Sequence, residues 1–425
     1  MTVAYALSLP LGLWIGLRMP GHRAVTATLT AIRAIPDLTL AILCVISFGI
    51  GVGAGTLALA IYYAAAVSKM FGDLFATARR EPVDALRAIG ATRLQLGAWA
   101  FLPLTASDLL SYGSYEFESA IRASIIIGAV GGGGLGSELV GSLAAFDYHR
   151  VTTQLIALIL VIAVFDHATV WLRRYPKALW ALAPIGVWCV VIFMSKVTIN
   201  PETLQTLGSM FPPHLSLQDW RDLPGLLFDT IWMAFAGTAL AVLVAIPLGA
   251  MSARNLAPKW LAVPVRRFLE SLRAIPEIVW GLLLVAYIGV GPAAGAVALG
   301  LHSAGCLGKL FAECIENVRP APVAALSATG AGPVAVFAYG LAPLSFAPVA
   351  AHTLFRLDWN LRMATVVGLI GAGGIGQALY NAQQLFFYRT MMAYVALTWL
   401  LVLGFDALST HIRIRYGLQG GTIVA

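Results

Sequence analysis

The chain has 425 residues, of which 59% are hydrophobic and only 11% are charged. An average soluble protein carries charge on about a quarter of its residues, so this composition excludes a water-soluble globular domain and indicates a polytopic membrane protein. The net charge of +7 arises from basic residues that stand singly or in pairs between long apolar segments. This scatter disfavours nucleic-acid binding, and we expect no nucleic-acid partner.

A short motif near the N-terminus reveals an internal repeat. RAIPD at 33–37 recurs as RAIPE at 273–277, a shift of 240 positions. The same shift carries Gly90 onto Gly330, and the register needs no gap from residue 33 to about residue 173. Because chance does not preserve register over such a length, the sequence predicts a tandem duplication.

The two repeats differ at their starts. We place the first repeat at residues 1–175 and the second at 176–425, which begins with an extra apolar segment. About sixteen apolar residues precede Arg18 in the first repeat, which is marginal for a membrane span because a span requires about 20 residues. We therefore expect that the first repeat is truncated at its N-terminus, or that the coding sequence begins upstream of Met1.

Apolar segments of the second repeat are suited to cross a bilayer, although two of them are short. The loop at 251–275 carries five basic residues and the loop at 198–225 carries one, so the positive-inside rule places the first in the cytoplasm and the second outside. The first repeat has the same orientation, which predicts a parallel repeat related by an axis along the membrane normal. We expect an all-α polytopic membrane protein with about 11 transmembrane helices. The spans predicted in the second repeat are 178–197, 226–250, 276–290, 293–309, 341–367 and 388–410.

A spaced motif lies in the cytoplasmic loop of the first repeat, EPVDALRAIGATRLQLGAWAFLP at 81–103. Asp84 and Ala85 stand shortly before Gly90, and twelve residues separate this glycine from Pro103. The spacing predicts a short helix, a turn at the glycine, and a second helix that enters the membrane at the proline. Proline is well tolerated in the first turn of a helix.

The second repeat carries the same motif, AALSATGAGPVAVFAYGLAP at 324–343. It retains Ala325, Gly330 and Pro343 at equal spacing, but Ala324 stands where the first repeat has an acid. Two loops with matched spacing argue against an ordinary basic cytoplasmic loop.

In each copy of the span after this proline, three charged residues lie within seven positions of one another. Such groups are costly at membrane depth and face the bundle interior or water. In each set, two residues of opposite charge are four positions apart and share a helix face, which indicates an intramembrane ion pair. The arginines would also suit transient bidentate contacts to an oxyanion substrate. The candidate substrate-path residues are Glu116, Glu118, Arg122, Arg356, Asp358 and Arg362.

Glu116 and Arg356 are equivalent under the shift of 240 positions but opposite in charge. Equivalent residues near a pseudo-two-fold axis can face each other, so we hypothesise that these two meet across the interface between the repeats and hold the resting gate shut. The alternative is that they are unrelated solvated charges at the outer ends of their helices.

The segment TVVGLIGAGGIGQAL at 365–379 matches the dinucleotide-binding pattern G-x-G-x-x-G. That fingerprint requires a βαβ unit and an acidic residue about twenty positions later, and both repeats lack the acid. We therefore predict a glycine-rich break where a membrane helix ends. No phosphate-binding loop, metal-ligand cluster or catalytic constellation stands out in the sequence. We expect no metal, no cofactor and no enzyme activity, including no ATP hydrolysis by this chain itself.

The two spaced loops resemble the coupling loops of binding-protein-dependent ABC importer permeases. The stretches RAIPEIVWGLLLVAYIGVGPAAGAVALGLHSAGCLGKLFAECIE and FRLDWNLRMATVVGLIGAGGIGQAL further resemble the phosphonate ABC transporter permease family. In that family the second stretch typically begins Tyr-Arg-Phe-Glu-x-Asn-x-Arg. The residues in those places here are Phe355, Arg356, Leu357, Asp358, Asn360 and Arg362. The first repeat departs from this pattern, with Glu116 and Ala120 in place of the first arginine and the asparagine.

The resemblance implies a permease that is normally a homodimer, whereas here both halves are fused in one chain. It also implies two ABC ATPase subunits that dock on the coupling loops, an extracytoplasmic solute-binding protein, and a place in the lipid bilayer of the bacterial cytoplasmic membrane. A coupling helix held in a groove of an ATPase would let nucleotide-driven closure move the spans as rigid bodies. We expect import of phosphonate or a related phosphorus oxyanion by alternating access.

Two other classes of function are weaker. An ion-coupled secondary transporter of a small anion also uses repeats and broken helices, but the spaced loops argue against it. A membrane-embedded enzyme is disfavoured because the sequence lacks a catalytic set of residues.

Overall fold

The computed structural model describes residues 1–145, 147–174 and 207–416, together with residues 186, 188–192 and 205. Within this part of the chain all regular secondary structure is helical, which confirms the all-α prediction. The chain divides into two compact units, Met1–Ser209 and Met210–Ala425.

The first unit is a bundle in which the short α1 packs along the long α4. Its helices are α1 (Thr2–Gly16), α2 (His22–Ala34), α3 (Asp37–Phe48), α4 (Val52–Thr77), α5 (Arg80–Ala88), α6 (Arg93–Leu96), α7 (Leu102–Ile127), α8 (Leu135–Ala144) and α9 (Tyr148–Arg174).

The second unit repeats this helix order, with a first helix that is much longer than α1. Its helices are α10 (Leu217–Ser252), α11 (Lys259–Ala274), α12 (Glu277–Ile288), α13 (Pro292–Glu316), α14 (Pro320–Ala328), α15 (Pro333–Val336), α16 (Ala342–Val367), α17 (Gly374–Gln384) and α18 (Tyr388–Arg415). The order of elements therefore confirms the duplication predicted from the RAIP motif.

Five helical segments of the described residues are long and apolar enough to cross a membrane, and seven if each of two bent helix pairs forms one span. The five are Val52–Thr77, Leu217–Ser252, Pro292–Glu316, Val334–Ala372 and Tyr388–Arg413. Two shorter apolar helices, Thr2–Gly16 and His149–Phe165, accompany them. Most of the predicted span at 178–197 lies outside the described residues.

The bent pairs form at the RAIP motif. The chain turns by 86° between α2 and α3, and by 84° between α11 and α12. The residue before a proline avoids the helical region, and Ile35 and Ile275 accordingly adopt extended ψ angles of 123° and 118°. The proline then starts a new helix whose first residue is acidic, Asp37 in one unit and Glu277 in the other.

The glycine-rich segment breaks α16 from α17, as the sequence predicts. Gly371 has φ +101°, a left-handed conformation that glycine adopts at little steric cost, and its carbonyl accepts a 3.0 Å hydrogen bond from the Gly291 backbone N–H. Gly376 packs so closely on α16 that a β-carbon there would collide with the carbonyl oxygen of Thr365. The segment is thus a compact helix break rather than a nucleotide-binding turn.

Small residues bring α10 and α13 of the second unit close together. A β-carbon on Gly237 of α10 would lie 2.9 Å from the Ala296 carbonyl oxygen of α13. One on Gly249 would lie 2.9 Å from Cβ of Phe311. Such close backbone approach is the usual basis of helix association in lipid, where burial of apolar surface gives little driving force. This close packing lets polar side chains near the centres of α10 and α13 belong to the same hydrogen-bond network, described below.

Candidate coupling surfaces and buried polar network

The candidate coupling loop of the first repeat has the predicted short helix followed by a turn at a glycine. Gly90 follows α5 with φ +83°, which favours glycine, and Pro103 lies in the first turn of α7. Asp84 and Ala85 lie on the exposed side of α5. The side chain of Asp84 is 61% exposed, and its Oδ1 lies 3.3 Å from Nη1 of Arg87. The loop therefore presents these residues to a partner or to solvent.

Apolar side chains anchor this loop to the first unit. Val83 is buried on the inner side of α5, in one cluster with Phe75 of α4 and Leu96 of α6. Phe101, just before α7, belongs to the same cluster. α5 is thus packed closely against the end of α4 and the start of α7.

The second coupling loop has nearly the same backbone. Gly330 follows α14 with φ +82°, Ala325 is exposed, and Pro343 lies in the first turn of α16. Val323 and Phe337 pack against a buried cluster that includes Ile315. Both loops are thus attached to their units through apolar contacts.

A buried carboxylate, Glu277, is the centre of a polar network inside the second unit. Glu277 is 6% exposed. Its Oε1 accepts hydrogen bonds from Arg356 Nη2 at 3.3 Å and from Trp359 Nε1 at 3.0 Å, and it lies 3.2 Å from His302 Nε2. A charge inside a bundle needs such compensation, because the cost of removing it from water is several kcal/mol.

The network continues through hydroxyl and amide groups. Arg356 Nε donates to Ser303 Oγ at 2.8 Å, and the Ser303 hydroxyl donates to Asn360 Oδ1 at 2.8 Å. Asn360 Nδ2 donates to Thr238 Oγ1 at 2.9 Å. The network joins α10, α12, α13 and α16, since each of the four helices contributes at least one member. Fully bonded networks of this kind rigidify a bundle and define one arrangement of it.

The first unit does not repeat this network. At the positions equivalent to Arg356, Ser303 and Asn360 it has Glu116, Tyr63 and Ala120. The Tyr63 hydroxyl donates to Ser119 Oγ at 3.2 Å, while an alanine offers no polar side chain. The two units therefore share a backbone plan but differ in the polar groups at their centres.

The predicted pairs four residues apart have different outcomes. In α7, Arg122 Nη1 lies 2.7 Å from Glu118 Oε1, which confirms the first pair. In α16, Arg362 instead forms its ion pair with Asp406 of α18, at 3.8 Å, and Asp358 is buried beside it. The prediction of an Asp358–Arg362 ion pair is wrong, because Arg362 pairs with Asp406 on the neighbouring helix α18.

The hypothesised contact between Glu116 and Arg356 would join the two units, and it stays a prediction. The guanidinium of Arg356 is already bonded to Glu277 and Ser303 inside its own unit. Glu116 is half-buried in α7.

Sequence reasoning did not single out Glu277, Ser303 or Thr238. The signal for Glu277 was present, because RAIPD and RAIPE both place an acid after the proline of a membrane segment. Ionisable residues inside membrane segments are candidates for function or pairing. Ser303 and Thr238 gave no such signal, since hydroxyl residues are common in membrane helices.

Comparison with known proteins decides the family. The family model described as "Binding-protein-dependent transport system inner membrane component" matches residues 8–176 and 245–416. The chain belongs to this family. Two successive matches also show that the protein is a tandem fusion of two permease repeats, as predicted.

Two curated relatives match different shares of this permease. The phosphate-import permease protein PhnE of Mycolicibacterium smegmatis is 29% identical over 97% of this chain and 82% of its own length. The phosphite transport system permease protein PtxC of Stutzerimonas stutzeri is 36% identical over 57% of this chain and 90% of its own length. Among solved structures, a chain of the inward-facing MetNI methionine ABC transporter covers 47% of this chain with 19% identity and a TM-score of 0.43.

Family membership defines the part that this chain plays. It is the membrane-embedded permease of an ABC importer, which operates with an ATPase and a substrate-binding protein. ATP hydrolysis belongs to the separate ATPase subunit, so the permease itself is not an enzyme.

Proposed function

We propose that this permease imports a phosphonate or a related phosphorus oxyanion by alternating access. The observation that carries the proposal is similarity along nearly the whole chain to a phosphate-import permease, together with 36% identity to a phosphite permease. A relative that matches both repeats in one alignment is informative about substrate class, because both halves of a permease line its path.

Two ATPase subunits bind the chain, one at α5 and one at α14. The two coupling loops and their matching backbones support this number, since each loop offers one exposed helix. One fused chain then supplies both halves of the pore, with the first repeat at 1–175 and the second at 176–425. The membrane is the cytoplasmic membrane of a bacterium, and an extracytoplasmic binding protein delivers the substrate.

The ionisable residues of α7 and α16 form part of the substrate path. An arginine that is exposed and unpaired inside a membrane would hold an oxyanion too tightly to release it. Arg356 and Arg362 avoid this because each has a carboxylate beside it, Glu277 and Asp406 respectively. An oxyanion can then transiently replace the carboxylate as the partner of the guanidinium, since arginine binds carboxylates and phosphates in the same bidentate geometry. The proposed path residues remain Glu116, Glu118, Arg122, Arg356, Asp358 and Arg362.

Substrate class is tested by growth and uptake in bacteria that lack other phosphorus importers. Cells that carry this permease with the ATPase and binding protein of its own system should take up radiolabelled phosphite, phosphate or a phosphonate. Excess unlabelled phosphorus oxyanion should compete, and excess sulfate should not. Uptake of none of these phosphorus compounds by a complete, correctly assembled system would contradict the proposed substrate class.

A further inference from the structure

The two coupling helices have the same backbone conformation. α5 and α14 are each nine residues long and each follows an arginine, Arg79 or Arg319, with φ near −55°. Each ends before a glycine of nearly identical positive φ. Any difference between the surfaces they offer therefore arises from side chains and not from the path of the chain.

The inner side of the two helices is also shared. Val83 and Leu86 of α5 pack toward the first unit, and Val323 of α14 packs toward the second. Beyond the helices, both loops expose a large aromatic residue at equivalent positions, Trp99 at 75% and Tyr339 at 79%. Anchoring and aromatic contact are thus common to both loops.

The outer side differs in charge. α5 contains four charged residues and α14 contains none. Three exposed positions show the contrast most clearly, with Glu81, Asp84 and Arg87 in α5 and Ala321, Ala324 and Ser327 in α14. The nearest ionic partner for Asp84 on its own helix is Arg87, and both side chains are more than 60% exposed. These charges are therefore available to a partner.

We propose that the ATPase makes ionic contacts with α5 alone and holds α14 through apolar surface. This rests on the proposed function, in which each coupling helix docks on an ATPase subunit. The groove that receives α5 carries basic and acidic side chains complementary to Glu81, Asp84 and Arg87. The groove that receives α14 gains mainly shape and apolar contact, because α14 itself contains no charge. Arg319 just before α14 is matched by Arg79 just before α5, so this charge does not distinguish the two loops.

The consequence is a permease with two unequal attachments. Charge complementarity at an exposed rim mainly raises the association rate and makes binding sensitive to salt. Apolar contact is far less sensitive to salt, because screening acts on charges. The first repeat is therefore the salt-sensitive attachment point of the complex, and the second is not.

The test compares two variants of the full-length chain held in lipid nanodiscs. In one variant all four charged residues of α5 are replaced by uncharged ones, as in α14, through Arg80→Ala, Glu81→Ala, Asp84→Ala and Arg87→Ser. The matched control carries Ala321→Ser and Ala324→Ser in α14, at positions that are also exposed and remain uncharged. The dissociation constant for the ATPase that copurifies with the wild-type chain is measured at about 50 mM and about 300 mM NaCl, a range over which the Debye length falls by more than half.

We expect the α5 variant to bind about tenfold more weakly than the wild type at low salt, and to lose most of its salt dependence. The control should match the wild type within about twofold at both salt concentrations. An α5 variant with wild-type affinity and wild-type salt dependence would overturn the proposal. Failure of the wild-type chain itself to bind any ATPase would instead overturn the proposed function. Circular dichroism of both variants checks that they are folded.

Discussion

Glu277 and Arg356 form a buried ion pair between two helices of the second unit, with Oε1 and Nη2 3.3 Å apart and both side chains about nine-tenths buried. The pair links the first residue of α12, just after the sharp bend, to the centre of α16, which continues from the second coupling loop. Together with the hydrogen bond from Trp359 to the same carboxylate, this pair joins α16 to the start of α12.

Removal of Arg356 should destabilise the protein strongly. Arg356→Met leaves the buried Glu277 carboxylate beside Trp359 and His302 but without the guanidinium, and breaking a buried ion pair costs about 3–5 kcal/mol. The free energy of unfolding, measured by titration with SDS from detergent micelles, should fall by about that amount. The double variant Arg356→Met with Glu277→Leu should recover part of the loss, because it leaves no carboxylate buried without a cation, although Trp359 Nε1 then loses its acceptor. A double variant no more stable than the single one would show that the ion pair is not the cause.

The hydroxyl of Ser303 should contribute more to stability than an ordinary helix serine. Ser303→Ala removes the acceptor for Arg356 Nε and the donor for Asn360 Oδ1, and buried groups left without partners cost about 1–3 kcal/mol. Ser345→Ala is the matched control, since this buried serine donates only to backbone carbonyls of its own helix, of which Leu341 is the nearest. SDS titration should rank Ser303→Ala well below Ser345→Ala in free energy of unfolding. Equal values would contradict a shared network.

Patterns of spacing made the repeat, the bends and the coupling loops predictable. The shift that preserves RAIP, Gly90 and Pro103 indicates that the chain is duplicated. Proline and glycine act on the local backbone, so their structural effects can be predicted from the sequence. Glu118–Arg122 was predictable for the same reason, because four residues span one helical turn. The partner of Arg362 was not, since Asp406 lies 44 positions away on another helix. Only packing of α16 against α18 brings those two groups together.

The close approach at Gly376 should make even a methyl group disruptive. Gly376→Ala places a β-carbon against the Thr365 backbone carbonyl, which cannot move without distorting the end of α16. We expect a loss of several kcal/mol in the free energy of unfolding, as for other overpacked interiors. Gly404→Ala is the control, because nothing lies within 4 Å of a β-carbon at that helical position. It should be neutral or stabilising by up to about 1 kcal/mol.

Glu316 should secure the C-terminal end of α13. Its Oε1 accepts from the Arg254 backbone N–H at 2.6 Å and from Arg266 Nη2 at 2.5 Å, so it ties α13 to α11 and to the loop after α10. Glu316→Ala should lower the free energy of unfolding by about 1.5–3 kcal/mol, the range for hydrogen bonds to charged groups.

Glu270 provides the comparison for Glu316. It pairs with Arg267 only three residues away on the same helix, and this pair is largely exposed. Such surface pairs contribute about 0–1 kcal/mol, so Glu270→Ala should have little effect in the same titration. If the two variants lose equal stability, the contacts of Glu316 do not hold the helices together.

The central claim is that ATP hydrolysis by a docked subunit drives an oxyanion through this chain. The most direct measurement is uptake of radiolabelled phosphite into proteoliposomes that contain the full-length permease and its ATPase, with the solute-binding protein supplied on the opposite side from ATP. Uptake is expected to require hydrolysable ATP, to stop with a non-hydrolysable analogue, and to continue when a protonophore collapses the proton gradient. Uptake that proceeds without ATP and stops with the protonophore would contradict the account.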